Sequence, residues 1–432
     1  MADDYDLSAA QTKVFLWRFN EENKNRRPTE IQKYVKEALK IEVESYIKQM
    51  GVIYSKFKPK RRSPGGCPEL NYDGPHKFSK LLNWLQKQYG ESESFEYPEG
   101  CVPLNSPFYI ERDGVDSLCY NKVREPGSLI RIKAPKFLGK TSLMRRILTK
   151  TAGEKSKNVY IDWSAVENSV LTDLEKLERW FCTQVVEQLH IENKLNDYWN
   201  EEFRTVNDNC TYYFENYIFA KINCPLVLGL DEVDSLFSET KVAENFFIML
   251  RKWHEEGKIS QTWQQLRIVL AHATEISISF DINQSPFNVG LPVDLPEFNQ
   301  NEIERLARLY GLKLNKKEMT DFMAMVGGNP YLVRLGFYKL AEQKISMKEL
   351  LISAPTQGGI YSDRLRKIFQ MLENSPEIKE AFNSVVTSSQ GVVLKPQENQ
   401  KLCSLGLVKA EKNCAIPSCS LYREYFKNVF SL

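Results

Sequence analysis

Through the first hundred residues, apolar side chains recur three and four positions apart. Ser8 can cap a helix carrying Val14, Phe15, Leu16 and Phe19, and Pro28-Thr29 opens a second with Ile31, Val35, Ala38 and Leu39. A third, over about 42–56, sets Val43, Tyr46, Ile47 and Met50 on one face, and a fourth over 77–89 carries Phe78, Leu81, Leu82, Trp84 and Leu85. Short helices with tight breaks predict a small helix-turn-helix-like unit. The polar stretch ESESFEYPEG then reads as a linker. From about residue 106 the texture changes to short apolar blocks, at 129–132, 159–161, 226–230, 266–271 and 287–289. Amphipathic helices lie between them, for instance at 141–149, 171–189 and 243–255. Strand–helix alternation predicts an α/β fold with a doubly wound parallel sheet. Strands apolar at nearly every position imply that both faces are covered. Helical spacing resumes from Asn299 to about Leu351. The chain then gives a helix from Tyr361, one capped by Ser375-Pro376, one ending at Gly406, strands at 407–411 and 414–416, and a last helix. That order predicts a winged-helix-like C-terminal domain.

Composition narrows the class. The 432 residues suit two to four domains, and 42% hydrophobic with 26% charged residues excludes wholesale disorder. Lys+Arg 58 against Asp+Glu 56 leaves a net charge of +2, which excludes a polybasic coat for nucleic acid or membrane. A local basic run remains in KFKPKRRSPGGCPE. Lys58, Lys60, Arg61 and Arg62 are candidate nucleic-acid contacts in the wing of a winged helix, and a solvated loop is the alternative. If all five basic residues from Lys56 to Arg62 met phosphates, the log–log salt slope would be about −4 to −5. No apolar run approaches the length of a membrane span, and the acidic N-terminus lacks a signal-peptide core, so a soluble cytoplasmic protein is expected. Nine cysteines without a CxxC pair, and four histidines, argue for reduced thiols rather than a zinc site.

The strongest chemical signal is SLIRIKAPKFLGKTSL, where an apolar strand enters a tight loop and Gly139-Lys140-Thr141-Ser142 opens a helix. A phosphate chain needs backbone N–H groups at a helix N-terminus, a glycine for close approach and an ammonium for the β/γ-phosphates. Residues 135–142 (Pro135, Lys136, Phe137, Leu138, Gly139, Lys140, Thr141 and Ser142) are therefore candidate ATP or ADP contacts, and the Thr141 hydroxyl is a candidate Mg²⁺ ligand. Ala134 stands where GxxxxGK[ST] has its first glycine, so the entry turn must be remodelled or less strained. About 90 residues on, the strand PLVLGL ends in Asp231-Glu232. Asp231 suits the metal and Glu232 the attacking water. After the block at 266–271, Thr274 could sense the γ-phosphate or merely cap a helix, and His272 reads as a structural hydrogen-bonder. In Gly327-Gly328-Asn329-Pro330, glycines end one helix and Pro330 starts the next, with Arg334 one turn on.

In this order the segments FYIERDGVDSLCYNKVREPGSLIRIKAPKFLGKTSLMRRIL, LDEVDSLF, LRIVLAHATE, GGNPYLVR, IYSDRLRKI and SLYREYF resemble AAA-like ATPases abundant in cyanobacteria. These fall within the STAND group of signal-transducing NTPases, related to the origin-recognition ATPases. The resemblance covers about three quarters of the chain. It implies a P-loop core that tolerates Ala134, with Tyr109, Ile110 and Arg112 lining the adenine and ribose side, and Pro330 as the nucleotide-contacting proline of a helical lid. The expected organisation is a helix-turn-helix-like domain at 1–100, a P-loop core at 101–296, a lid at 297–355 and a winged-helix-like domain at 356–432. The implied function is a slowly hydrolysing, Mg-dependent ATP switch or adaptor in bacterial signalling or defence. A protein effector, and oligomerisation that depends on nucleotide, would follow. The alternatives are a DNA-binding ATPase resembling initiator or transposition-regulator proteins, and a nucleotide-binding scaffold without turnover.

Overall fold

The computed structural model describes residues 7–19, 23, 26, 28–58, 67, 70, 77–88, 95–152, 156–273, 286–342 and 345–431. They fall into two units, 1–94 and 95–432. In the first, helices Ala9–Phe19, Pro28–Leu39, Val43–Lys56 and Lys77–Gln88 follow the apolar spacing. They bury Phe15 and Phe57 with ring centroids 5.5 Å apart, together with Val14, Val35, Met50 and Ile53. Leu16 and Ile47, expected on the buried faces, are exposed. Each face is narrower than its apolar stripe, because the turn neighbours Phe15 and Met50 fill the available core. Of the candidate nucleic-acid contacts Lys58 is described, whereas Lys60, Arg61 and Arg62 lie outside the described residues.

The second unit is organised by a parallel sheet of β1 (Leu129–Lys133), β2 (Lys157–Asp162), β3 (Leu226–Asp231), β4 (Leu266–His272) and β5 (Leu291–Asp294), in the order β2-β3-β4-β1-β5. Side chains alternate along a strand. Leu226, Leu228 and Leu230 of β3 therefore face one layer of helices, while Val227 faces the other. Helices Leu174–Leu189 and Thr240–Glu256 cover the first face and Lys140–Ala152 the second, which makes the sheet doubly wound. β4 sits between β1 and β3, so the ends of the two chemistry-bearing strands flank His272.

The first four strands stand where the apolar blocks predict them. The fifth does not: 287–289 largely forms a 3-10 turn, Pro286–Asn288, and the strand follows at Leu291–Asp294. Phe287 is a core plug, 4.9 Å from the ring of Phe247 and 5.2 Å from that of His272. Gly290 then turns at φ 75°, where a Cβ would lie 2.6 Å from the Leu129 carbonyl. Pro292 is tolerated because β5 pairs only with β1 and forms the sheet edge.

Capping boxes at Asn299/Glu302, Asn315/Glu318 and Ser346/Glu349 start helices Gln300–Leu309, Lys316–Val326 and Met347–Ser353. Pro330–Ala341 lies among them. Helices Ser362–Glu373, Pro376–Thr387 and Pro396–Ser404 follow, then the hairpin β6 (Val408–Glu411) and β7 (Cys414–Pro417), and helix Ser420–Phe430. Lys412 and Asn413 are both left-handed, as a two-residue hairpin turn requires. Val392 bridges Ala415 beside the hairpin. One hydrophobic core takes in Phe108 and Ile110 and then runs from Phe298 to Phe426. It is tied by the Phe322–Phe337 stack at 4.9 Å and by Tyr361, whose hydroxyl donates to the Leu332 carbonyl at 3.0 Å.

Candidate functional site

β1 ends at Lys133, and Ala134 continues it with its N–H donated to the His272 carbonyl at 3.3 Å. The left-handed residues of the loop are Phe137 (φ 67°) and Gly139 (φ 97°); Ala134 is not among them. The turn has moved forward, so alanine at the first position carries no backbone strain. A Cβ at Gly139 would lie 3.3 Å from Arg112 Nη2, because the Arg112 guanidinium fills the space beneath the loop and donates to the Leu138 carbonyl. The helix then begins at Lys140. Its ammonium is buried, donates to the carbonyls of Ala134 (3.1 Å) and Pro135 (3.4 Å), and lies 4.0 Å from Glu232 Oε1.

Asp231, the last residue of β3, is buried; it accepts from the Tyr160 hydroxyl at 2.8 Å and from the Glu232 N–H at 3.0 Å. Glu232 is left-handed (φ 50°), a conformation that side chains rarely adopt and that aims its carboxylate toward Lys140. Burial raises its pKa above the ordinary carboxylate value, against the opposing pull of Lys140. Asp234 takes the Ala273 N–H on both oxygens, at 3.0 and 2.8 Å, and so ties the end of β4 to the segment after β3. His272 donates from Nδ1 to the Ala273 carbonyl at 2.6 Å. Burial, with Arg131, Lys133 and Lys140 nearby, pushes its pKa down to about 4, which makes it a neutral hydrogen-bonder as expected. Thr274 lies outside the described residues.

The opposite wall comes from the helix that starts at Pro330. Asn329 caps it through the N–H groups of Tyr331 and Leu332. Gly328 must be glycine, since a Cβ there would meet the Phe298 carbonyl at 2.3 Å. Together these elements enclose a cleft of about 400 Å³. Lys136, Phe137, Gly139, Lys140, Thr141, Ser142, Glu232 and Pro330 all line it, so distant parts of the sequence meet at one place. Pro135, Leu138 and Asp231 are not lining residues; they support the wall from behind. Nor do Tyr109, Ile110 and Arg112 line the cleft. The Tyr109 hydroxyl donates to Asp116 at 2.5 Å, Ile110 is in the core, and Arg112 is beneath Gly139.

Sequence reading missed Pro98, Gly100, Cys101 and Val102, which form that part of the wall, and Ser164 and Tyr331. The 98–103 strip is held by the loop helix: Ser142 Oγ accepts the Val102 N–H at 3.0 Å, and Arg146 donates to the carbonyls of Val102 and Pro103 at 3.0 and 2.7 Å. Ser142 and Arg146, one turn apart on a face that should be apolar, were the available signal. The donor set suits a hard cation: a threonine hydroxyl in the cleft and a carboxylate behind it are oxygen ligands of the kind Mg²⁺ takes.

A family model described as the AAA-like domain matches residues 97–428. The chain belongs to the AAA-like domain family. The match takes in the cleft, both layers of helices and the C-terminal hairpin, and it begins just before the 98–102 strip. Among solved structures, a Walker-type ATPase of Pyrococcus abyssi is similar at 11% identity, over 74% of this chain and 96% of that one, with a TM-score of 0.51. This likeness extends the P-loop NTPase fold to the AAA-like chain. The ORC2 protein of Aeropyrum pernix is matched at 14% identity over 78% and 98% of the two chains, TM-score 0.43. Domain III of the replication initiation protein DnaA of Thermotoga maritima is matched at 18% over 58% and 98%, TM-score 0.35. No curated protein matches the sequence. Among the described residues, no helix of this AAA-like chain is long and apolar enough to cross a membrane.

Proposed function

We propose that this AAA-like ATPase binds ATP with Mg²⁺ in the 400 Å³ cleft and hydrolyses it slowly, as a switch that signals to a protein partner. The observation that carries the reading is the approach of Lys140 to Glu232, 4.0 Å, at the mouth of a left-handed loop that opens a helix. Lys140 and the N–H groups of the loop hold the β- and γ-phosphates. Thr141 would hold the metal, with Asp231 behind the wall orienting its water shell, and the metal would neutralise charge on the transferring phosphoryl group. Glu232 accepts a hydrogen bond from the attacking water and takes its proton, and its raised pKa makes it the better acceptor. Pro330 and Arg334, on the far wall, contact the nucleotide from the lid side. A ligand between two such walls can bias their separation, provided ATP and ADP touch them differently. The STAND-like role, a winged-helix-like C-terminal module presenting the signal, and oligomerisation that depends on nucleotide are parts of the same proposal.

The test is steady-state ATP hydrolysis by the full chain, with and without duplex DNA, against Lys140→Ala as blank. Slow turnover above the blank and indifferent to DNA supports the switch. Strong stimulation by DNA, falling steeply with salt, would favour the initiator-like alternative. ATP binding by Lys140→Ala as tight as by the wild type would overturn the phosphate assignment.

A further inference from the structure

Lys136, Phe137 and Tyr331 line the nucleotide cleft and also a second cavity, of about 270 Å³, against helix Ser362–Glu373. Its polar lining is mostly cationic. Lys136, Arg364 and Lys367 face it, against a single acid, Asp363, which is already paired with Arg366 at 2.6 Å. Arg364 is the telling residue. It is 7% exposed, its Nε donates to the Tyr422 hydroxyl at 3.1 Å, and its guanidinium carbon lies 3.9 Å from the Phe137 ring centroid and 5.3 Å from that of Tyr331. Its Nη1 is buried with no hydrogen-bond partner among the described residues. An N–H donor on a charged group is costly to bury without an acceptor, so the arrangement calls for an anion. The rest of the wall is flat or apolar: the Phe137 and Tyr331 rings are 5.5 Å apart, and Ile368 and Met371 continue the surface. At this volume, just under the usual range of ligand pockets, one ring and one anionic group fit.

We propose that this cavity is a second binding site, for a small molecule that joins a flat apolar ring to a carboxylate or a phosphate monoester. The anion meets the Lys367 ammonium and reaches Arg364 Nη1, which is closed to solvent as it stands, when the Phe137 ring shifts off the guanidinium; the ligand's ring lies on Phe137 and Tyr331. The site also touches the phosphate loop, because Phe137 belongs to that loop and the Lys136 N–H beside it is donated to the Ser404 carbonyl at 3.1 Å. An occupant that competes with Phe137 for Arg364 therefore acts on the loop. This last consequence rests on the ATP reading; binding at the second site does not.

The probes are phenyl phosphate, benzoate and inorganic phosphate, titrated into the full chain by ligand-observed NMR, with ATP affinity measured on the same samples. At least one ring-bearing anion should bind wild type and Lys140→Ala alike, at least tenfold more tightly than inorganic phosphate. It should bind at least tenfold more weakly to Lys367→Glu, a surface change that spares the core, and to Arg364→Ala if that variant folds. Preference for phenyl phosphate assigns the phosphate monoester, and preference for benzoate the carboxylate. Absence of binding by both ring anions would overturn the proposal. So would binding that survives Lys367→Glu, or that is lost in Lys140→Ala, which assigns the probe to the nucleotide cleft. A chain that fails to bind ATP yet shows the Lys367-dependent site would defeat the ATP reading and leave this one standing.

Discussion

On one face of the sheet, β3 and β4 present Leu226, Leu228, Leu230, Leu266, Ile268 and Leu270 to a layer rich in aromatic rings; on the other, the same strands present Val227, Gly229, Val269 and Ala271 to the helix Lys140–Ala152. The large side chains support Trp163, Phe181, Phe214, Phe246 and Trp253, with Phe214 and Trp253 centroids 4.5 Å apart. The small ones let the phosphate-loop helix come close: a Cβ on Gly229 would lie 3.0 Å from Leu148 Cδ1 and 3.1 Å from Met144 Sδ. The aromatic face thus carries the greater share of apolar burial, and the thin face fixes where the helix N-terminus, and with it Lys140, stands relative to Glu232. Stability and site geometry are assigned to opposite sides of one sheet.

That division can be broken first at the chemistry. Glu232→Gln is expected to lower ATP turnover by roughly 10²–10⁴-fold while ATP affinity stays within a few-fold, since only the proton acceptor is removed; single-turnover and equilibrium binding measurements separate the two. On the aromatic face, Phe181→Ala should cost about 3–5 kcal/mol by denaturant unfolding and leave the ATP dissociation constant of the folded protein nearly unchanged. An equal loss of affinity would show that the faces are not independent. On the thin face, Gly229→Val should cost about 1–3 kcal/mol through overpacking. Unlike Phe181→Ala, it should also weaken ATP binding by pushing the helix outward.

A pH-dependent test exploits Glu178, buried in the aromatic layer with both oxygens unpartnered among the described residues. Burial, helped by Asp208, raises its pKa to about 8. The folded carboxyl keeps its proton up to that pH, whereas in the unfolded chain it ionises near the ordinary carboxylate value. Stability therefore falls as pH climbs between those two values and stays at the lower level above about 8. Glu178→Gln should be more stable than wild type by roughly 1–3 kcal/mol at pH 9 and nearly equal to it at pH 4.5, as thermal melts at the two pH values would show. The smallest effect is expected from Ser142→Ala, which leaves the Val102 N–H without its acceptor: about 1 kcal/mol, with a modest rise in the ATP dissociation constant.

Much of the site was legible because its parts are local. Gly139-Lys140-Thr141 is a loop end that opens a helix and Asp231-Glu232 a strand end followed by a turn, and the chemistry of each follows from adjacent residues. The left-handed residue at Phe137 was harder to see, since a bulky aromatic does not announce a positive φ; the Arg364 guanidinium over its ring and the Tyr331 stack accompany it. Positions 98–100 read as linker, and Cys101 and Val102 as the start of the core with no role, because the place of this wall depends on Ser142 and Arg146, some 40 residues further along. The fifth strand was misplaced for a related reason: Phe287 and Val289 have strand-like character, but Phe287 is needed as a plug against Phe247.

The sequence by itself determined the alternation of strands and helices, the return to helical spacing at Asn299, and which residues could meet a phosphate. Each of these depends on spacing within one turn or one strand, where backbone geometry leaves few choices. Only the tertiary structure decided that Glu232 meets Lys140, that the 98–102 strip closes the cleft while Tyr109, Ile110 and Arg112 stand behind it, and that Arg364 reaches the phosphate loop. Those outcomes depend on how closely packed layers approach, which is set by the summed sizes of side chains far apart in the chain.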